Sequence, residues 1–260
     1  VASRSSVARW RLTTLNSRLQ EKVWDRRAST WDHHGAAGLE DVVEAVLSVA
    51  EVPVGGTVVD LGCGTGQLSI PLAQRGAHVT AVDVSREMID RLVTKAPCAG
   101  PGTVTGLVSP VEELSFAPGS VDLVVSNYAL HHLRDSDKRA LVQSAACWLV
   151  PGGRIVIGDM MFGRGVTARD RAIIASKVAI LVRRGPAGCW RVVKNLGRFA
   201  ARFQERPVPP EKWVQYLEGA GFEDVAVHLV VSEAAVVMGT RPPEARMAPS
   251  TKAPQHPAPV

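Results

Sequence analysis

The chain has 260 residues, 46% of them apolar, so it can bury one substantial core, and one domain with a helical insertion is expected. Its four cysteines (Cys63, Cys98, Cys147, Cys189) are scattered with no C-x-x-C pair, which argues against a zinc centre or a disulfide framework and fits a reducing compartment. Lysine and arginine outnumber acids 30 to 25, with an isoelectric point near 9.3; this raises nucleic acid as a partner, but where the charge lies matters more than its sum.

Residues 1–20 are rich in serine and arginine with sparse apolar positions. They read as a flexible N-terminal arm, either a solvated tail or a basic segment suited to an acidic surface. They lack the apolar core of a secretory leader, and no apolar run reaches the roughly 18 residues needed to span a bilayer, so a cytoplasmic location is expected. Trp24 and Trp31 flank a polar stretch that leads into Asp32, His33 and His34. His34 is a candidate for taking a proton from a substrate, or else a solvated loop residue. From Leu39 to Ala50, apolar residues recur at i, i+3, i+4 spacing and predict an amphipathic helix. Pro53 and Gly55-Gly56 break that pattern.

Thr57 to Leu61 is a short apolar run that predicts a buried parallel strand. It stops in three glycines at alternate positions, Gly62, Gly64 and Gly66, and a helical pattern follows from Gln67 to Gln74. Strand, glycine turn and helix form the first unit of a nucleotide-binding α/β sheet. The spacing is G-x-G-x-G, not the G-x-G-x-x-G of dinucleotide enzymes. Asp60 stands two residues before the first glycine, where it would repel a pyrophosphate and attract an ammonium group. A second strand is expected over His78 to Val82, followed by Asp83, where a carboxylate can accept both ribose hydroxyls. A nucleoside with a cationic amino-acid tail satisfies both acids, and S-adenosylmethionine is such a molecule.

Ser85 is the expected N-cap of a helix from Arg86 to Lys95, and Thr103 to Val108 reads as strand three. Glu112 and Glu113 read as solvated. Val121 to Ser126 is apolar throughout, as a central parallel strand should be. Ligands in such sheets bind at the carboxyl ends of strands, which puts Asn127 and His131 against the amino-acid end of the cofactor. His132 is expected under the next helix, Asp135 to Val150. Pro151-Gly152-Gly153 predicts a turn into strand five, Arg154 to Gly158. The strand-four segment has neither the [DN]-P-P-[FY] pattern of base amino methylation nor a paired cysteine nucleophile.

Three stretches, VVDLGCGTGQLSIPLAQRGAHVTAVDVSREMIDR, VEELSFAPGSVDLVVSNYALHHL and LVPGGRIVIGDM, resemble the successive motifs of class I S-adenosylmethionine-dependent methyltransferases. Within that class the chain is most similar to the small-molecule branch that includes the quinone-biosynthesis C-methyltransferases. The likeness runs from about Trp24 to Arg241 and is weakest between Met160 and Pro210. It implies a Rossmann-like, seven-stranded, mostly parallel sheet flanked by helices, with a C-terminal antiparallel hairpin and a helical lid insertion. It also implies that Trp31 closes over the cofactor and that Val84 and Met88 lie beside it. The family's acid for the adenine amino group falls on Pro110 here, a departure that leaves the Val111 N–H to meet the ring. His131 and His34 are the candidate catalytic bases.

The insertion, about 162–206, holds eleven basic residues between Arg164 and Arg206 against two acids, Asp170 and Glu205. Helices are expected over Thr167 to Arg184, with an apolar stripe from Ile173 to Val182, and over Trp190 to Phe203. Three readings compete: a lid with solvated arginines, a basic surface that meets anionic lipid, or contact with nucleic acid, which is disfavoured because the aromatics share the apolar side. A helix over Glu211 to Glu218 and a hairpin of Val225 to Val231 with Ala234 to Gly239 close the domain, 21–241. Residues 242–260 are proline-rich and expected to be disordered. The expected function is methyl transfer to oxygen, carbon or nitrogen of a small, apolar or lipid-like acceptor. An RNA methyltransferase and a non-catalytic cofactor-binding regulator are the alternatives.

Overall fold

The computed structural model describes residues 20–26, 28, 39–96, 100–163, 167–183, 185, 206–231 and 233–243. The N-terminal arm up to residue 19, Trp31, His34, the helix expected over Trp190 to Phe203 and the tail beyond residue 243 lie outside them.

The described helical residues 20–26 (α1) precede α2, Leu39–Val49. Then come β1 (Thr57–Leu61), α3 (Ser69–Gln74), β2 (His78–Asp83), α4 (Arg86–Lys95), β3 (Thr103–Val108), β4 (Val121–Asn127), α5 (Asp135–Trp148) and β5 (Leu149–Met160). The chain continues through α6 (Ala168–Val182), α7 (Pro210–Gly219), β6 (Glu223–Val231) and β7 (Ala234–Thr240). Short 3-10 turns at Val111–Glu113 and Leu130–His132 follow β3 and β4.

The seven strands make one sheet in the order β3-β2-β1-β4-β5-β7-β6. The first five are parallel; β7 runs antiparallel to β5, and β6 antiparallel to β7. This is the expected Rossmann-like sheet with its closing hairpin. The central strands β1 and β4 are apolar because helices cover both faces, whereas edge strand β3 is half open to solvent. On one face Val42 and Val46 of α2, Leu72 of α3 and Leu92 of α4 pack on Val58, Leu123 and Val156. On the other, Leu141 and Val142 of α5 and Trp213 and Leu217 of α7 pack on Val59, Val124 and Ile155.

Two local expectations change. β5 begins at Leu149 rather than Arg154, because Leu149 pairs with Val121 across a register shift and the Gly152-Gly153 turn is held by Arg241. In α6, Ile173 is buried but Ile180 and Val182 are exposed, so burial falls off along the expected apolar stripe. That start is fixed by a reciprocal cap: the Asp170 N–H donates to Thr167 Oγ1, and Asp170 Oδ2 accepts the Thr167 N–H. No helix among the described residues is long and apolar enough to cross a membrane.

Candidate active site

β1 lies between β2 and β4, so the connections leave it in opposite directions and a crevice opens at the strands' carboxyl ends. About 960 Å³ of it is free of atoms, part of it open to solvent. Its floor is Asp60 near the end of β1 with Gly62, Cys63 and Gly64 after it, and Asp83 at the end of β2 with Val84 and Met88 after it. Pro110, Val111 and Glu112 line it after β3, and Asn127 to Leu130, His132 and Leu133 after β4. Gln20 and Trp24 of α1 and Leu39 of α2 complete the wall.

Asp60 is fully enclosed, and its Oδ2 accepts the Ser69 hydroxyl at 2.6 Å. Burial pushes its carboxyl up to about 7; the Ser69 bond lowers it in part, and the neighbouring Asp83 charge raises it further. Such a group keeps its charge readily only when a cation arrives. Asp83 is also buried: Oδ2 accepts the Gly64 N–H and Oδ1 the Ser85 N–H, each at 2.9 Å. Burial raises its carboxyl above the ordinary range, although these N–H groups oppose the shift. A carboxylate has about four lone-pair positions, so the bonds from Gly64 in the glycine loop and from Ser85 leave room for ribose hydroxyls.

The glycines divide by role. Gly62 has φ +71°, and a Cβ there would lie 2.2 Å from that of Ala129, so only glycine lets the β1 loop pass the β4 segment. Gly64 lines the crevice and binds Asp83. Gly66, expected at the cofactor, does not line it. A Cβ on Gly66 would lie 2.3 Å from Leu92 Cδ1, so this glycine serves the packing of the loop on α4.

At the end of β4, both amide atoms of Asn127 are buried with no hydrogen-bond partner among the described residues. Tyr128 next to it has φ +51°, unusual for a non-glycine residue, with its N–H donated to Gly158 O at 2.9 Å. The two histidines are placed the opposite way from the sequence expectation. His131 is buried and absent from the crevice wall, its Nδ1 bonded to Asp159 Oδ1 at 2.6 Å. His132 lines the crevice, its ring 4.0 Å from that of His131 and 5.4 Å, edge on, from Trp24. Adjacent residues in a 3-10 turn point roughly 120° apart, so only one of the pair can face in.

The same geometry separates Glu112 from Glu113. Glu113 is exposed, but Glu112 is half-buried in the crevice wall, and burial raises its carboxyl. It stands beside Pro110, where the expected adenine acceptor is missing. α1 was also undervalued by the sequence. Ser85 Oγ donates to Asp25 Oδ1 at 2.6 Å while accepting the Met88 N–H, so the cap of α4 also anchors α1. No described residue of the insertion lines the crevice.

These groups fit an amino-acid nucleoside: a carboxylate and a partnerless amide for its charged tail, a braced acid for its ribose, and a half-buried acid for its base. A family model described as "Methyltransferase domain" matches residues 58–153. Uncharacterised methyltransferases from Bacillus cereus and Bacillus anthracis are 34% identical over 142 residues, which is 54% of this chain and 62% of their own length. Among solved structures, magnesium protoporphyrin IX methyltransferase from Synechocystis, with bound S-adenosylmethionine, is 19% identical at a TM-score of 0.52 over 78% of this chain and 77% of that one. A Haemonchus contortus phosphoethanolamine N-methyltransferase is 17% identical at a TM-score of 0.59 over 77% of this chain and 52% of that one. At such identities the structural likeness speaks for the fold. Motif order and sheet topology agree with the domain match: residues 58–153 are similar to a methyltransferase domain, and the sheet is the Rossmann-like one of these solved methyltransferases.

Proposed function

We propose that the chain transfers a methyl group from S-adenosylmethionine to oxygen, carbon or nitrogen of a small, largely apolar acceptor. The observation that supports this reading is the convergence of Asp60, Asp83 and the partnerless Asn127 amide on one crevice. The rest of its wall is mostly apolar or aromatic, with Trp24, Leu39, Leu130 and Leu133. The bound sulfonium supplies the methyl group and a neutral leaving thioether, so the chain's main task is alignment in a dry site.

Asp60 and Asn127 hold the amino-acid tail, Asp83 the ribose, and Val111 with Glu112 the base. A proton must be taken from the acceptor only if it is a hydroxyl or an unactivated carbon. His132, not His131, is the imidazole in the wall that would take it. The acids around the crevice, Asp60, Asp83 and Glu112, disfavour an RNA phosphate backbone there.

Methyl-tritiated S-adenosylmethionine, offered with apolar phenols, amines and activated carbon acids in one set and total RNA in another, tests the assignment. Label in an organic-soluble product is the expected result. Label confined to RNA would replace the small-acceptor reading.

A further inference from the structure

His131 is tied to both ends of the insertion. At the entry, β5 delivers Asp159, whose Oδ1 accepts from His131 Nδ1 at 2.6 Å and from the Met160 N–H at 2.7 Å. A carboxylate has no proton to give, so Nδ1 carries the hydrogen. At the exit, the Arg206 N–H donates to the His131 carbonyl at 2.7 Å. Arg206 O accepts from buried Lys138 Nζ at 2.7 Å, and the same ammonium donates to Leu133 O at 2.8 Å. One residue of a three-residue turn therefore bonds to both strands of chain that leave and re-enter the domain. His132, the next residue, lines the crevice with its ring against that of His131.

The entry is packed as far as Gly163. Met161 and Phe162 are buried, and the Gly163 N–H donates to Asp170 Oδ1 at 2.7 Å, the same carboxylate that caps α6. The bond to Asp159 thus passes within four residues to the start of the insertion, and the bond to Arg206 reaches its end.

We propose that His131 is a positioning residue: its side chain fixes the start of the insertion and its carbonyl the end, both relative to His132 at the crevice wall. The role rests on reading the crevice as the methyl-transfer site. In it, His131 touches neither cofactor nor acceptor and gives up no proton. A ligand against His132 therefore bears on residues 160–163 and on Arg206 through the same turn. Because the two bonds share one residue, losing the side-chain bond frees the turn that carries the carbonyl, and the exit loosens with the entry.

Hydrogen–deuterium exchange of the full chain, with and without saturating S-adenosylhomocysteine, tests this on wild type, His131→Leu and His131→Asn. Asparagine keeps a donor near the Nδ1 position; leucine does not. Exchange of the amides at 160–163 and of Arg206 and Val208 is expected to rise about tenfold in His131→Leu. It should stay near wild type in His131→Asn. Ligand should slow both regions in wild type and in His131→Asn, and should fail to do so in His131→Leu. Affinity for S-adenosylhomocysteine should stay within about twofold in all three, because Asp60, Asp83 and Asn127 are untouched.

A rise at 160–163 alone, or equal behaviour of the two variants, would overturn the role. Global loss of protection in His131→Leu leaves His131→Asn with Asp159→Asn as the deciding pair: matching exchange at Arg206 and Val208 in those two and in wild type also overturns it. If wild type binds no S-adenosylhomocysteine, the cofactor reading fails by itself, and the ligand-free exchange still decides whether His131 joins the two ends.

Discussion

Ser85 and Asp25 lie 60 positions apart in the chain and share a 2.6 Å hydrogen bond, made by the same hydroxyl that caps α4. That hydroxyl fixes α1, and with it Trp24 and Gln20, over a crevice whose floor is built from strand ends. Ser85→Ala removes the cap and the anchor together and should cost about 1–2 kcal/mol of unfolding free energy in a urea titration. Asp25→Ala spares the cap. It should leave the urea midpoint nearly unchanged and weaken S-adenosylhomocysteine about tenfold by calorimetry. Equal loss of stability in both variants would show that α1 supports the fold rather than the ligand.

Asp83 is expected to carry the nucleoside end. Asp83→Ala should lower affinity for S-adenosylhomocysteine by about 1–3 kcal/mol, as a charged acceptor is lost. Part of that loss comes from the Gly64 N–H, which gives up its partner. Unchanged affinity would refute the assignment.

The pH dependence follows from Asp60. Its carboxyl stands at about 7 in the folded protein against an ordinary 3.8. Because the folded value is raised, the folded state keeps a proton that the unfolded chain has released between those values. The ligand-free protein therefore loses stability as pH rises from about 4 to about 7, and the loss is complete above that. Ligand binding has the opposite trend, because an ammonium group needs the ionised carboxylate. Affinity should fall about tenfold per pH unit below about 7 and level off above it. Asp60→Asn should flatten that profile; a flat profile in wild type would remove Asp60 from the ammonium site.

Gly62 offers a steric test of the turn. Gly62→Ala forces a Cβ into Ala129 at a φ of +71° and should cost about 1–3 kcal/mol of stability, together with ligand affinity. Gly55→Ala, at φ +79° with nothing within 4 Å, meets the backbone strain without the collision. It should leave affinity unchanged, which separates the passage of β1 past β4 from loop strain as the cause.

The floor of the crevice was legible because it is local. Strand, acid, alternating glycines and a second acid one strand later are a pattern of sequence neighbours, and Asp60, Gly62, Gly64 and Asp83 stand where that pattern puts them. Val84, Met88, Val111 and Asn127 line the crevice too, as strand ends in this sheet must. What stayed hidden depends on distant partners. His131 and His132 are interchangeable in sequence; which one faces inward is decided by Asp159, 28 residues on. Glu112 looked like half of a solvated pair until a 3-10 turn separated it from Glu113. Gly66 read as part of the glycine motif, but its space is taken by Leu92 of α4. The sheet itself was easier, since apolar runs mark buried parallel strands whichever helices cover them.

The most direct measurement is a calorimetric titration of the full chain with S-adenosylhomocysteine and, separately, with NAD. Saturable binding of the first and none of the second is the predicted result, since Asp60 welcomes an ammonium group where a dinucleotide would place its pyrophosphate. Saturable binding of NAD, with S-adenosylhomocysteine failing to bind at millimolar concentration, would contradict the account.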